Sequence, residues 1–322
     1  MTKTHTPIPP PPHPTYDIHK VIKEALEEDA GGIGDVTTLA TVPPGTRATG
    51  TFLAKSAGVL AGLGVADAVF AAVDPAITVA WEGCDGEVVG AGHVFGRVCG
   101  PAASILVAER VALNFMQRMS GIATATRAMV AAATAGGHSP KILETRKTAP
   151  GLRLLDKWAV LIGGGHNHRM GLYDMMMIKD NHVTAAGGVT QAIARAEAYI
   201  RDQGLQQQGM RIEVETRTLA EVDEVVAALD AGQAPHVTRV MLDNMTKHDP
   251  SQPGGLDVSL LSEAVARLGG RVESEASGNV VVETVGAFAA AGVTHISVGA
   301  LTHSVRAMDI SLKIALEHWT GA

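Results

Sequence analysis

Hydrophobic positions in the first hundred residues follow several short periods. Asp17 stands as a helix N-cap before Ile18, Val21, Ile22, Ala25 and Leu26, which recur at helical spacing until Gly31-Gly32. Residues 47–56 alternate apolar and polar side chains as a half-buried strand does, and 77–81 and 93–98 are shorter strand candidates. The spacing predicts a helix over 65–73. Strands and helices mixed without a common repeat read as an α+β unit. Pro101 suits the first turn of a helix, and apolar stripes predict one helix over 105–119 and a second over 122–135.

Beyond residue 140 a repeat sets in. Short apolar segments at 141–144, 175–178, 211–214, 239–242, 270–273 and 294–298 each run into a polar or Gly-rich turn. Helical segments such as 220–229 and 256–268 lie between them, and Thr218 with Glu221 has capping-box spacing. Six successive β/α units predict parallel strands with crossover helices. Lys147, Lys179, Glu215, Asp243 and Ser277 follow five of these segments. An open doubly wound sheet would string them along an edge. A barrel gathers strand ends at one mouth, so an α/β barrel is expected. The polar stretches 203–209 and 246–255 read as loop insertions. Residues 1–14, rich in proline, read as a disordered or polyproline-like tail. The expected division is a tail over 1–16, an α+β domain over 17–125 to which a C-terminal helix returns, and a barrel over 126–322.

Composition sharpens the chemistry. Hydrophobic residues make up 46% of the 322, enough for a sizeable core. The formal charge of −7 argues against a nucleic-acid surface. No apolar run reaches the roughly 18 residues of a membrane span, so a cytoplasmic protein is expected. Cys84 and Cys99 are far apart and outside any CxxC. Against this acidic background, 144–182 concentrates Arg146, Lys147, Arg153, Lys157, His166, His168, Arg169, Lys179 and His182. Such a cluster suits a strongly anionic small ligand, with a solvated helix face as the lesser reading for Arg153 and Lys157. His166 and His168 would need Asp174 and His182 to complete a zinc site, and His-x-His alone is a weak signal. Glu215 and Asp243 suit Mg²⁺ held with a polyphosphate, sugar hydroxyls, or an ion pair with an arginine. Small residues after the last two strands, Ser274-Glu-Ala-Ser-Gly-Asn279 and Ser297-Val-Gly-Ala-Leu-Thr-His303, have the make-up of a phosphate cradle. There is no GxxxxGK[ST] and no complete GxGxxG, which sets nucleotide-binding folds aside.

Seven stretches carry a resemblance. They are Ala108-Glu-Arg-Val-Ala-Leu-Asn-Phe-Met-Gln-Arg-Met-Ser-Gly-Ile-Ala-Thr124, Thr145-Arg-Lys-Thr-Ala-Pro-Gly-Leu-Arg153, Gly163-Gly-Gly-His-Asn-His-Arg169, Ile178-Lys-Asp-Asn-His182, Glu213-Val-Glu215, Leu242-Asp-Asn244 and Ser297-Val-Gly-Ala-Leu-Thr-His-Ser304. Together they resemble the quinolinate phosphoribosyltransferase family from about Asp17 to the C-terminus. The resemblance implies an N-terminal α+β sandwich domain followed by an incomplete α/β barrel of parallel strands. It implies a homodimer with shared active sites, assembly beyond the dimer left open. The implied substrates are quinolinate and 5-phosphoribosyl 1-pyrophosphate with Mg²⁺, and the products nicotinate mononucleotide, pyrophosphate and CO₂. By the same resemblance Arg146, His168, Arg169 and Lys179, with Arg110 of the partner subunit, would bind quinolinate. Lys147 would meet the donor's pyrophosphate, Glu215 and Asp243 its ribose and Mg²⁺, and Ser277, Gly278, Gly299 and His303 its 5-phosphate. Lys147, Glu215 and Asp243 would be the catalytic set. Asn279, where a second glycine is expected, and His166, where an apolar residue is common, depart from the pattern. The alternatives are a phosphoribosyltransferase for another ring acid, a barrel aldolase forming a Schiff base on Lys147 or Lys179, and a catalytically silent ligand-binding paralogue.

Overall fold

The structure, a computed structural model, describes residues 8–316. The expected tail therefore falls partly outside the described residues, over 1–7. Its remainder makes contacts with the rest of the first unit. Pro11 is buried, the Ile8 carbonyl accepts from Trp158 Nε1 at 2.8 Å, and Tyr16 Oη donates to the Gly151 carbonyl at 2.9 Å. Two compact units emerge: residues 8–127, 148–164 and 301–316 form the first, Ala128–Lys147 and Gly165–Ala300 the second.

In the first unit, α1 (Ile18–Ala30) starts where Asp17 accepts from the His19 amide and stops at Gly31, whose φ of 55° ends the helix. A short α2 (Val36–Thr41) follows, capped by Asp35. An antiparallel sheet is built from β1 (Arg47–Ala54), β3 (Thr78–Trp81) and β5 (Val94–Pro101), with β2 (Gly58–Val59) paired separately to β4 (Val88–Val89). Strand β1 buries every second side chain, as its alternation predicts. Helix α3 (Leu63–Val73) packs Val65, Ala66, Val69 and Phe70 into the core. The element that returns from the C-terminus is a strand rather than a helix: β14 (Ile310–Leu316) pairs with β1 along its length, giving the order β14-β1-β5-β3. Helix α5 (Arg153–Ile162) also packs into this unit through Leu155, Trp158, Ala159, Val160 and Ile162.

The helix pair expected over 105–135 is one 33-residue helix, α4 (Ala102–Thr134), and Pro101 ends the preceding strand. Ser120-Gly121 does not break it. Ser120 Oγ bonds the amide and carbonyl of Ala61 at 2.9 and 3.2 Å, and a Cβ on Gly121 would run into the Arg306 carbonyl. Glycine is here for close backbone approach, not for a turn. Gly121→Ala is therefore expected to destabilise by about 1–3 kcal/mol through overpacking. A thermal unfolding midpoint equal to wild type would contradict this.

The second unit is a six-stranded parallel sheet of β6 (Lys141–Leu143), β7 (Met176–Ile178), β8 (Ile212–Thr216), β9 (Val237–Asp243), β12 (Glu273–Ser277) and β13 (His295–Ser297). Its spatial order is β6-β13-β12-β9-β8-β7. That is the cyclic order of a barrel cut between its first and second strands, so the incomplete barrel is what the chain forms. At the cut, the His166 amide donates to the Ile142 carbonyl at 2.8 Å. Helices α6 (Asp180–Ala186), α7 (Val189–Asp202), α8 (Leu219–Asp230), α9 (Ser259–Leu268) and α10 (Val285–Ala290) make the crossovers. Thr218 and Glu221 cap α8 reciprocally, as their spacing predicts. The insertion at 203–209 contains a single 3-10 turn, and that at 246–255 a small hairpin of β10 (Lys247–His248) with β11 (Leu256–Asp257).

One strand differs from expectation. The strand placed at 270–273 lies three residues later, because Gly270 has a φ of 74° and belongs to the preceding turn. Its inward side chains are polar, so it lacks the apolar run that marks the other strands.

Candidate active site

The pairing register shows what that polarity is for. Glu213 pairs with Arg239, Arg239 with Glu273, Glu275 with Met241 and with His295, and Ser277 with Asp243. Paired residues on parallel strands share a face, so this face of the sheet carries charge on four adjacent strands. The alternate residues Val214, Val240, Ala276 and Ile296 are buried on the other face. Arg239 donates to Glu275 at 3.0 Å and to Glu273 at 3.3 Å. His168 Nε2 lies 3.0 Å from Glu213 and 3.3 Å from Glu275, all three buried. Glu144, buried at the end of β6, accepts from the His168 amide at 3.0 Å and from Asn167 Nδ2 at 2.9 Å.

This network fixes the segment that carries Arg169 and holds a proton. Burial alone would lower the pKa of His168, but Glu275 and Glu213 outweigh it and push it up to about 9. The Arg169 amide donates to His168 Nδ1 at 2.7 Å, a bond that belongs to the neutral ring and is given up when the ring takes its second proton. Burial followed by the charge of Glu275 pushes Glu213 upward, whereas His168 and Arg239 hold the equally buried Glu275 down. The added proton belongs to the coupled pair of His168 and Glu213 rather than to one atom. The folded cluster keeps a proton that a free imidazole releases near pH 6.5. Its stabilisation is complete below about pH 6.5 and lost as pH rises to about 9, a loss of up to about 3 kcal/mol. His295, pushed down to about 4 by burial and by Arg239, acts with opposite sign only below pH 6.5. Urea midpoints should therefore fall between pH 7 and 9 in the wild type and stay flatter in His168→Gln. Parallel curves for the two proteins would refute the assignment.

Of the residues singled out from sequence, Arg146, Lys147, His168, Arg169, Lys179, Glu215, Asp243, Ser277, Gly278 and Gly299 fall in the second unit, and Arg110 and His303 in the first. Arg146 and Arg169 are half-buried. Arg146 Nε is buried without a hydrogen-bond partner among the described residues, and Arg169 donates to the Met175 carbonyl at 3.1 Å. Burial, then the charge of Arg146, holds the Arg169 guanidinium below its usual range. Two cations that repel each other in a half-buried place are arranged for an anion with more than one charge. Lys147 is exposed, and its amide donates to Thr145 Oγ1 at 3.0 Å. Lys157 is wholly buried in α5 and Arg153 donates to Thr148 Oγ1, both in the first unit. Arg110 is exposed on α4, and His303 is exposed with Nδ1 2.7 Å from Ser304 Oγ.

Lys179 Nζ donates to Glu215 at 3.0 Å. Arg217, which the sequence reading passed over, lies 3.3 Å from Glu215, 2.9 Å from Asp180 and 3.5 Å from Asp243. Of the roles left open for Glu215 and Asp243, the ion pair with an arginine is the one seen. These carboxylates are hard oxygen donors at adjacent strand ends, and positive charge already occupies them, so the donor set fits a divalent cation. Gly278 has a φ of 115°, and a Cβ there would collide with Asn244. Asn279 takes a φ of 49°, a left-handed conformation that asparagine tolerates, so this departure preserves the turn. The zinc reading loses its ligands: His166 is exposed, Asp174 accepts from the Met170 and Gly171 amides, and His182 Nδ1 accepts from the Lys179 amide. Among the described residues the metal-like group of three is His168, Glu213 and Glu275, whose charge Arg239 already balances.

Comparison with known proteins agrees with this layout. The quinolinate phosphoribosyl transferase C-terminal domain model matches residues 122–313 and the N-terminal domain model residues 35–120. The quinolinate phosphoribosyltransferase [decarboxylating] 1b of Nicotiana tabacum is 57% identical over 308 residues, covering 96% of this chain and 85% of that protein. The chloroplastic nicotinate-nucleotide pyrophosphorylase [carboxylating] of Arabidopsis thaliana is 56% identical over 311 residues, covering 96% and 86%. The crystal structure of NadC from Streptococcus pyogenes superposes with a TM-score of 0.81 at 37% identity, covering 94% of this chain and 97% of that one. With both domain models matched in order, and the cut barrel and paired arginines in place, the chain belongs to the quinolinate phosphoribosyltransferase family.

Proposed function

We infer that the chain is a nicotinate-nucleotide pyrophosphorylase (carboxylating), an enzyme of NAD biosynthesis that joins quinolinate to the ribose of 5-phosphoribosyl 1-pyrophosphate. The observation that carries this reading at the site is the pair Arg146 and Arg169, two cations held close with one buried donor unspent. They are assigned to the two carboxylates of quinolinate, with Lys179 and His168 kept in the same substrate set although His168 faces Glu213 and Glu275. Lys147 is assigned to the pyrophosphate and Ser277, Gly278 and Gly299 to the 5-phosphate, whose approach a glycine backbone permits. Glu215 and Asp243 would hold Mg²⁺, which when bound supplies charge neutralisation for the departing pyrophosphate. Arg110 of the partner subunit is assigned to quinolinate, in a homodimer. Cytoplasmic operation is part of the proposal, and the two free thiols, Cys84 and Cys99, fit a reducing compartment.

In this reading pyrophosphate leaves the anomeric carbon and the pyridine nitrogen bonds to it. The ring nitrogen becomes positive and stabilises the electron pair left on the adjacent carbon when its carboxylate departs as CO₂. A proton then fills the vacated carbon. The protein's part is positioning and charge stabilisation. Lys179 Nζ is spent on Glu215 and is poorly placed to be the free amine a Schiff-base aldolase needs. The test is pyrophosphate and CO₂ release with each ring acid. Quinolinate should be turned over and nicotinate not at comparable rate, because the monoacid leaves one cation unpaired. Equal efficiency with both would remove quinolinate as the substrate.

A further inference from the structure

Arg217 has no role in the reading above, yet it is the residue on which the acidic strand ends converge. Its guanidinium spans Asp180 at the start of α6, Glu215 on β8 and Asp243 at the end of β9. Three carboxylates from three elements repel one another unless a cation sits among them. Lys179 meets only the far oxygen of Glu215, Oε2, leaving Oε1 to Arg217. The backbone at Arg217 is fixed: its amide donates to Glu221 at 2.7 Å, one residue before the cap of α8. The side chain is half-exposed and long enough to swing without disturbing that anchor.

We propose that Arg217 is a donor-binding residue that stands in for the divalent cation on Glu215 and Asp243 and is handed over to the donor's phosphates when cation and donor arrive together. The inference rests on the assignment of Glu215 and Asp243 to Mg²⁺ and deepens it. A divalent cation brings two charges where the guanidinium brought one, so it displaces Arg217 from both carboxylates. The released fork still has Asp180 on one side and faces an incoming polyanion, for which a planar guanidinium is well suited. Cation and arginine therefore compete when the donor is absent and cooperate when it is present.

Competition and cooperation give effects of opposite sign, measurable without turnover. The full-length protein is titrated with Mn²⁺ alone, followed by the resonance of free Mn²⁺, and then with 5-phosphoribosyl 1-pyrophosphate at saturating Mn²⁺ by calorimetry, with no ring acid present. Arg217→Gln should bind Mn²⁺ alone roughly threefold to tenfold more tightly than wild type, a size set by losing exposed ion pairs. The same variant should bind the donor more weakly by a similar factor. Arg217→Lys, a point charge without the fork, should fall between the two proteins in both titrations. Unchanged or weaker Mn²⁺ binding in Arg217→Gln, or unchanged donor binding, overturns the proposal. If wild type binds donor with Mn²⁺ and Glu215→Gln abolishes this, while Arg217→Gln matches wild type in both titrations, only the role of Arg217 falls. If no protein takes up donor with Mn²⁺, the assignment of the carboxylates falls with it.

Discussion

Replacing Arg239 by methionine should lower the stability of the folded protein by about 3–5 kcal/mol, the range for stranding a buried charge. Arg239 is the cation that Glu275, Glu273 and Glu213 share, and their fields raise its pKa although burial works against it. Methionine fills much of the same volume, so lost packing is a minor part of the cost. Without Arg239, Glu275 keeps, among the described residues, His168 as its positive partner, and Glu213 competes for the same ring. The cluster would then take up a second proton or loosen the Asn167-His168-Arg169 segment. Combining Arg239→Met with Glu275→Gln should cost less than the sum of the two single changes, because the neutral amide no longer needs the cation. Urea unfolding of the four proteins checks this. An Arg239→Met loss below 1 kcal/mol would mean that the network is not charged as described.

Arg146→Ala should fall mainly on the ring acid. A bidentate contact to a desolvated carboxylate is worth about 2–5 kcal/mol when one partner is truncated. That corresponds to a drop in kcat/KM for quinolinate of roughly thirtyfold to several thousandfold. The KM for the phosphoribosyl donor should move little, since its assigned partners are Lys147, Glu215 and Asp243. Arg146→Lys should recover only part of the loss, because a point charge cannot reproduce the fork. Steady-state kinetics with each substrate varied in turn would show the split. A variant with normal quinolinate dependence and lost donor binding would exchange the two pockets.

Much of this architecture was legible in the chain. The β/α repeat, the return of reactive side chains at strand ends and the Thr218–Glu221 cap are local patterns, and they survive folding because nothing tertiary opposes them. What was illegible depended on partners distant in sequence. Ser120-Gly121 reads as a helix break until the backbone of Arg306 and Ala307 is seen against it. The strand Glu273–Ser277 carries no apolar run to mark it, because its inward face is charged. Its real signal is period two, also visible in Glu213-Val-Glu215 and Arg239-Val-Met-Leu-Asp243. Attention to strand ends likewise missed Glu213, Arg239, Glu275 and His295, which lie within strands. Arg217 was missed because it sits two residues past Glu215 and reads as the lead-in to a helix. Only the positions of Asp180 and Asp243 show its use.

The pairing of β1 with β14 has a consequence for how the protein is made. Residues 48–54 meet residues 310–316 in the sheet, across more than 250 positions of chain. During vectorial synthesis at about 5–20 residues per second, β1 leaves the ribosome many seconds before its partner exists. The parallel sheet, whose strands run from Lys141 to Ser297, is synthesised entirely within that interval. The part of the protein translated first is thus the last to be completed. Until then one edge of β1, with Phe52 and Ala54 destined for the core, stays open to solvent and to other nascent chains. Slow, high-contact-order closure of this kind makes chaperone engagement of the emerging amino-terminal half a physical expectation of the topology.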